Sequence, residues 1–421
     1  MRIAMIAFGT RGDVQPAVAL GKELKAKGHS VRILAGANFK DWIERHGLEA
    51  VASKIDIQSV MESDLGRDWI EKGDNPLMQM RTIKKLTDQT GWQSMIDAWA
   101  ACRDAEVIFS SFTSDIYALS IAEKLGVPII SIPLQPALFP TRSGAATMNA
   151  PLPNRNSVIN YIFGRIFLEP FNWRLSGKMV NRFRQEVLSL QPQTRAEYLA
   201  VKRRLFTVQA FSRHIVPHAD DWPSTIRTTG FWFLEEQNGW QPPRGLIEFL
   251  DAGEPPVCIG FGSMIGHNLE QVTRIVIDGV RESGRRAVLL SGWAGIGNVE
   301  LGDSIYRLEA APHEWLYPRV AAAVHHGGAG STAASLRAGV PTVIVPHLGD
   351  QSFWGQRVHA LGAGPKPISR NNLTAPSLAS AIRAATTNHD MKRRAGDLGS
   401  KIRAEDGIGQ AVEAIEQYLR L

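Results

Sequence analysis

The chain has 421 residues, 44% of them hydrophobic and 21% charged, and a formal net charge of +6. That length exceeds one typical core, so two domains are expected, and Gly and Pro follow no repeat period, which excludes a fibrous or low-complexity chain. The basic excess is modest and comes with no DNA- or RNA-binding motif, so it argues for a solvated basic surface and against nucleic acid as a partner.

In chain order, residues 2–8 read as a strand, Gly9 to Asp13 as a loop, and residues 14–27 as a helix closed by Gly28. A strand at 30–35 and a short helix at 39–46 continue a βαβ rhythm, which implies a parallel sheet with covering helices. Across residues 56–100, Met61, Leu65, Trp69, Met78, Leu86, Trp92, Met95 and Trp99 recur at helical spacing. Core packing and the lining of a pocket for an apolar ligand are both open there. The rhythm resumes with a strand at 106–110, a helix at 116–125 and a strand at 127–132. Residues 133–153 then form a long Pro- and Gly-rich loop.

Residues 154–190 are mostly helical, with Tyr161, Ile162, Phe163, Ile166, Phe167, Phe171 and Trp173 among Arg155, Arg165, Arg174, Lys178, Arg182 and Arg184. Two readings stand, ordinary packing with a solvated basic face, or peripheral contact of 155–184 with an anionic membrane. A strand at 204–211 ends the first domain, placed at 1–215, and the Pro- and Trp-rich stretch 216–243 is expected to be a linker.

The second domain, 244–405, repeats the scheme. It has a strand at 257–261, the loop Gly262-Ser263-Met264, a helix at 269–283, strands at 287–291 and 304–308, and a loop at 292–297. A buried strand at 321–324 leads into the turn His325 to Gly330, a helix opened by Ser331 and Thr332, a strand at 341–345, and a loop bearing Asp350 and Gln351. Further helices follow at 377–386, 391–402 and 409–419. The fold class is α/β, two doubly wound domains, with a cleft expected between them.

A small-residue loop between a buried strand and a helix leaves backbone N–H groups unpaired at the positive end of the helix dipole, which makes an anion site. Loops after parallel strands gather at one sheet edge, so Gly262-Ser263, His326 to Ser331 and Asp350-Gln351 should converge there. Amides and an imidazole would hold a diphosphate, and an acid–amide pair would hold a polyol, which together describe a nucleotide sugar. No carboxylate cluster has metal-binding spacing, so metal independence is expected, and His325 is assigned to supporting the turn. Taken singly, the glycine turn could be only a tight turn, and Asp350 or Asp13 only a helix cap.

The stretch HHGGAGSTAASLRAGVPTVIVPHLGDQ resembles the donor-binding signature of family 1 nucleotide-sugar-dependent glycosyltransferases, which have the two-domain GT-B fold. GTRGDVQPAVALGKELKAKGH resembles their first loop and helix. In wording both are most similar to sterol 3-β-glucosyltransferases, and next to bacterial glycopeptide and macrolide glycosyltransferases. The resemblance implies two Rossmann-like domains facing a central cleft, the first taking the acceptor and the second the donor. A last helix, 406–421, would return to the first domain.

On the donor side the resemblance implies phosphate contacts at His326, Gly327, Gly328, Gly330, Ser331 and the Gly262-Ser263 loop. It adds sugar contacts at Asp350 and Gln351, His313 near the base, and Gly12 in the first loop. Asp13 is the implied catalytic base for an inverting transfer, and no cofactor is implied beyond the co-substrate. Ala334 and Ala310 stand where plant members carry a ribose carboxylate and a stacking Trp, and Ser111 stands near their supporting Asp.

The expected reaction is transfer of glucose from UDP-glucose to a hydroxyl of an apolar acceptor such as a sterol, in the cytoplasm or at the inner membrane face. The alternatives are a dTDP- or UDP-sugar transferase for a macrolide, glycopeptide, flavonoid or glycolipid, and a non-catalytic nucleotide-sugar-binding accessory protein. A Rossmann dehydrogenase is disfavoured because the G-x-G-x-x-G spacing is missing after the first strand.

Overall fold

The computed structural model describes residues 1–71, 76–136, 138–235, 239–262, 269–292 and 301–420. The chain forms two compact units. The first is Met1–Val60, Arg81–Glu235 and Glu405–Leu421, and the second is Met61–Met80 and Glu236–Ala404.

In the first unit seven parallel strands lie in the order β3-β2-β1-β4-β5-β6-β7. They are β1 (Arg2–Ile6), β2 (Ser30–Gly36), β3 (Glu49–Ser53), β4 (Val107–Ser110), β5 (Ile129–Ser131), β6 (Phe206–Gln209) and β7 (Ile226–Thr228). Strand alternation divides the core in two. Ile3 and Met5 face the helices Arg11–Ala26 and Gly407–Leu419, while Ala4 and Ile6 face a core that includes Met95, Ala98, Ile121 and Phe183.

The second unit has five parallel strands in the order β10-β9-β8-β11-β12. They are β8 (Val257–Gly260), β9 (Ala287–Leu290), β10 (Ile305–Leu308), β11 (Ala322–His325) and β12 (Thr342–Ile344). Val257 and Ile259 pack to one face and Cys258 to the other.

Each sheet reverses its winding once, between β1 and β4 and between β8 and β11. Ligands of open parallel sheets bind beyond the carboxyl ends of the strands at such switch points. The loops brought there are Ala7–Thr10 beside Ser111–Ser114 in the first unit, and those holding Gly262 and His326 in the second.

The structure departs from these sequence expectations in two places. Residues 216–235 are packed rather than linking: Ile226 and Thr228 are buried in β7, and Trp222, Phe231, Trp232 and Leu234 are buried as well. Met61–Met80 belongs to the second unit, where Ile70 is buried among Val257, Ile259 and Leu378. Elsewhere in 56–100 the helical spacing marks core: Met95 is buried, and Trp92 and Trp99 pack against the same cluster. Cys102 and Cys258 are free and buried, and no described helix is long and apolar enough to cross a membrane.

The chain re-enters the first unit at Glu405, where Ala411, Val412 and Ile415 of the last helix join the core beneath β1 and β6, and Tyr418 stacks on Phe206 at 4.2 Å. Ile415→Ala is expected to cost about 2–5 kcal/mol, read as a lowered denaturant midpoint of the first unit.

Candidate active site

The site in the second unit is built around the turn between β11 and the helix Ala329–Ala338. Gly328, in extended backbone, is its N-cap, so the helix begins before Ser331 and Thr332. Its first-turn amides, which include those of Gly330 and Ser331, lack intrahelical acceptors. His325 shapes the turn. Its Nδ1 accepts from the Gly327 amide at 3.0 Å, which leaves the ring proton on Nε2, 3.3 Å from Ser335 Oγ. Thr342 Oγ1 donates to the same Ser335 Oγ at 2.9 Å, so strand, turn and helix share one hydrogen-bond set.

Gly327 has φ +90°, and a Cβ there would lie 2.6 Å from Ile344 Cγ2 and 3.1 Å from the Gln351 carbonyl oxygen. Only glycine fits that backbone, and the close approach seats the 350–351 loop against the turn.

His326 is partly buried, and its Nδ1 is buried without a hydrogen-bond partner among the described residues. Burial, with a smaller contribution from the charge of His313, pushes its pKa down to about 4. The imidazole is therefore neutral at pH 7, able to present one N–H and one lone pair. A Cβ at position 328 would lie 2.6 Å from Nε2, so Gly328 keeps that nitrogen open. A Cβ at Gly262 would lie 3.5 Å from His326 Cε1, and one at Gly292 would lie 3.3 Å from the Gly262 carbonyl oxygen. Three strand-end loops thus meet, while Ser263 lies outside the described residues. His313 opens the short helix His313–Leu316 and stacks on Tyr317 at 4.6 Å.

Asp350 is the N-cap of the helix Gln351–Ala360, yet its side chain makes no capping bond; Oδ2 accepts from Trp354 Nε1 at 2.7 Å. Gln351 is buried, and its Oε1 accepts from the amides of His347 at 2.7 Å and Leu348 at 3.0 Å. That carbonyl oxygen is committed to shaping the loop, so the pair is asymmetric, with Asp350 oriented by a neighbour and Gln351 acting partly as scaffold. His347 and Trp354 carried no signal of their own in the sequence beyond lying four residues from Gln351 and Asp350. His347 Nδ1 donates to the Val345 carbonyl at 2.8 Å, and burial holds its pKa down at about 3.

In the first unit the helix Arg11–Ala26 starts with Thr10 as N-cap, which places Gly12 and Asp13 in its first turn, Asp13 being the third helical residue. Asp13 Oδ2 accepts from the Thr10 amide at 2.8 Å and from Thr10 Oγ1 at 3.2 Å. Asp13 is exposed at its surface, yet desolvation by the surrounding protein raises its carboxyl above the ordinary value, with the two Thr10 hydrogen bonds pulling it back. Gly9, with φ +141°, is what admits this arrangement, because a Cβ there would sit 2.1 Å from Asp13 Oδ2. Across the switch point Ser114 Oγ accepts from the Ser111 amide at 2.9 Å, and no carboxylate stands at 111.

Residues 3–137 match the glycosyltransferase family 28 N-terminal domain, and residues 294–413 match the C-terminal domain of the erythromycin biosynthesis protein CIII-like family. The chain is 36% identical over its whole length to a sterol 3-beta-glucosyltransferase of Neosartorya fischeri, and 34% identical over 98% of its length to one of Pichia angusta. It spans about a third of those relatives, 30% and 33% of their own lengths.

The calicheamicin glycosyltransferase CalG4 superposes with a TM-score of 0.72 at 16% identity, over 100% of this chain and 98% of that one. The glycosyltransferase VinC, solved with dTDP, gives 0.64 at 20% identity over 100% of both chains. The GT-B resemblance read from the two motifs is borne out.

Two outcomes follow from this geometry. Trp354→Phe removes the Nε1 donor to Asp350 Oδ2 and is expected to cost about 1–3 kcal/mol of stability, read as a lowered denaturant midpoint. His326 folds with a pKa of about 4 against an ordinary 6.5, so the unfolded chain binds more protons between those values. The His326 contribution to stability is expected to be constant above that window and to fall as pH drops through it. In His326→Gln the denaturation midpoint should vary less with pH over the same range.

Proposed function

We infer that this chain, which has the GT-B fold, carries out an inverting and metal-independent transfer of glucose from UDP-glucose to a hydroxyl of an apolar acceptor such as a sterol. The observation that carries the reading is the unpartnered His326 Nδ1, buried at a helix N-terminus and edged by Gly262, Gly327 and Gly328. Unpaired amides and a neutral imidazole suit the two phosphates of a nucleotide sugar. Ser331 and Gly330 add first-turn amides, Asp350 is oriented to accept from sugar hydroxyls, and His313 lies on the nucleotide side.

Asp13 is the base in this reading. Oδ2 is held by Thr10, and Oδ1 has no partner among the described residues, so it is open to an acceptor hydroxyl. As that hydroxyl oxygen bonds to the anomeric carbon, the bond from carbon to the diphosphate oxygen breaks. The hydroxyl proton passes to Asp13, and the charge on the departing diphosphate is taken up by the 326–331 amides. A carboxylate is a weak base toward an alcohol, so leaving-group stabilisation supplies much of the acceleration. The similarity to sterol 3-beta-glucosyltransferases over the whole chain supports an apolar acceptor.

Asp13→Asn retains an oxygen to accept from Thr10, so the helix start survives. Turnover is expected to fall by about 10²–10⁴-fold with donor affinity unchanged; turnover within tenfold of wild type would sink the base role. With UDP-glucose and cholesterol in excess chelator, UDP release and a β-linked product are expected at the rate seen without chelator. Dependence on added metal would overturn the metal-free reading, and no turnover across a panel of donors and acceptors would overturn the transferase itself.

A further inference from the structure

Ten large hydrophobic side chains are exposed among the described residues, and six of them fall within one stretch: Val158, Ile159, Tyr161, Ile162, Ile166 and Phe167. Monomeric proteins scatter such residues singly; a contiguous set marks a surface meant to be covered.

The backbone explains why they share a face. The helix Val158–Phe163 runs without a break into the π-helical turn Gly164–Leu168, because Gly164 is itself helical. At helical spacing Val158, Ile159, Ile162 and Ile166 lie within about a quarter to a third of the circumference, and the wider π turn carries Phe167 onto the same side. The opposite side is pinned. Asn160 is fully buried and donates to the carbonyls of Arg155 at 2.8 Å and Arg142 at 3.3 Å. Gly164 lies so close to Pro140 that a Cβ would be 2.9 Å from its Cα. The helix therefore cannot roll its apolar face inward.

Charge identifies the occupant. From Arg155 to Leu168 there are two arginines and no acidic residue, and the first acid, Glu169, is buried against Arg165 and Arg203. Arg142 and Arg155 are exposed at the start of the helix, and neither guanidinium forms an ion pair among the described residues; the one carboxylate met there, Asp221, accepts from the Arg142 amide at 2.8 Å. Arg184 is excluded from this face, since it is buried and paired with Glu123. A second copy of the chain on this surface would set like charges together, whereas an anionic bilayer satisfies both the apolar face and its basic edge.

The geometry points to the 158–167 face as a membrane-docking surface that inserts into the interfacial layer of a bilayer containing anionic lipid. This surface stands independently of the transferase reading, and its test uses neither donor nor acceptor.

The full chain is sedimented with phosphatidylcholine vesicles, with and without phosphatidylglycerol. Binding is expected to the anionic vesicles. Ile159→Ser combined with Ile162→Ser and Phe167→Ser should lower the partition by at least about tenfold, with an unchanged thermal midpoint. Arg142→Gln with Arg155→Gln should abolish the preference for anionic over neutral vesicles. Because both native cysteines are buried, Ile162→Cys can be labelled selectively with an environment-sensitive dye, and a blue shift on adding anionic vesicles is expected. Three results would each overturn the proposal: no binding by the wild type, binding by the triple variant equal to wild type, or a concentration-dependent dimer that the triple variant loses while vesicles have no effect.

Discussion

The first turn of an α-helix cannot pair its own amides, and a parallel sheet sets several such turns along one edge. Both candidate sites follow from that constraint. In the first unit the free amides after β1 are met from within, by the Asp13 carboxylate folded back on Thr10 against Gly9. In the second unit the helix start after β11, across the switch point from β8, holds glycines and a neutral imidazole, and no acidic side chain folds back onto it among the described residues. One helix start is thus closed around an internal carboxylate with an oxygen to spare, and the other keeps its first-turn amides open beside a neutral imidazole.

The second site depends on a rigid turn, and rigidity here comes from proton placement as much as from packing. His325 can hold the Gly327 amide only while Nδ1 is unprotonated, and its burial keeps it so. His347 is fixed with the opposite ring nitrogen protonated, by its bond to the Val345 carbonyl. Gln351 then pins the His347 and Leu348 amides. Three adjacent segments are therefore locked by neutral polar groups, which lets His326 stand unpartnered among them without the loop collapsing onto it.

Much of this was legible because strand and helix periodicities are local. The apolar runs at 2–8 and 257–261, the glycines that follow them, and the spacing of His326, Ser331, Asp350 and Gln351 are properties of short windows. What escaped is set by distant contacts. Nothing local in residues 217–235 announces that β7 completes a sheet edge, since its burial is supplied by β6 and the surrounding aromatics. The affiliation of Met61–Met80 with the second unit is likewise invisible in its own spacing. The role of Gln351 was half seen, because chemistry names its donors and acceptor but only the fold shows which oxygen the loop has already used.

The return of the chain to the first unit at Glu405 bears on how that unit folds. The helix carrying Ala411, Val412 and Ile415 covers one face of the sheet that holds β1, and Glu236–Ala404, folded into the second unit, lies between them in the sequence. Translation runs from N- to C-terminus, so that face stays uncovered until the main segment of the second unit has been made. Completion of the first unit thus waits on a contact of very long sequence separation, and damage to the Gly407–Leu419 helix would be felt at β1.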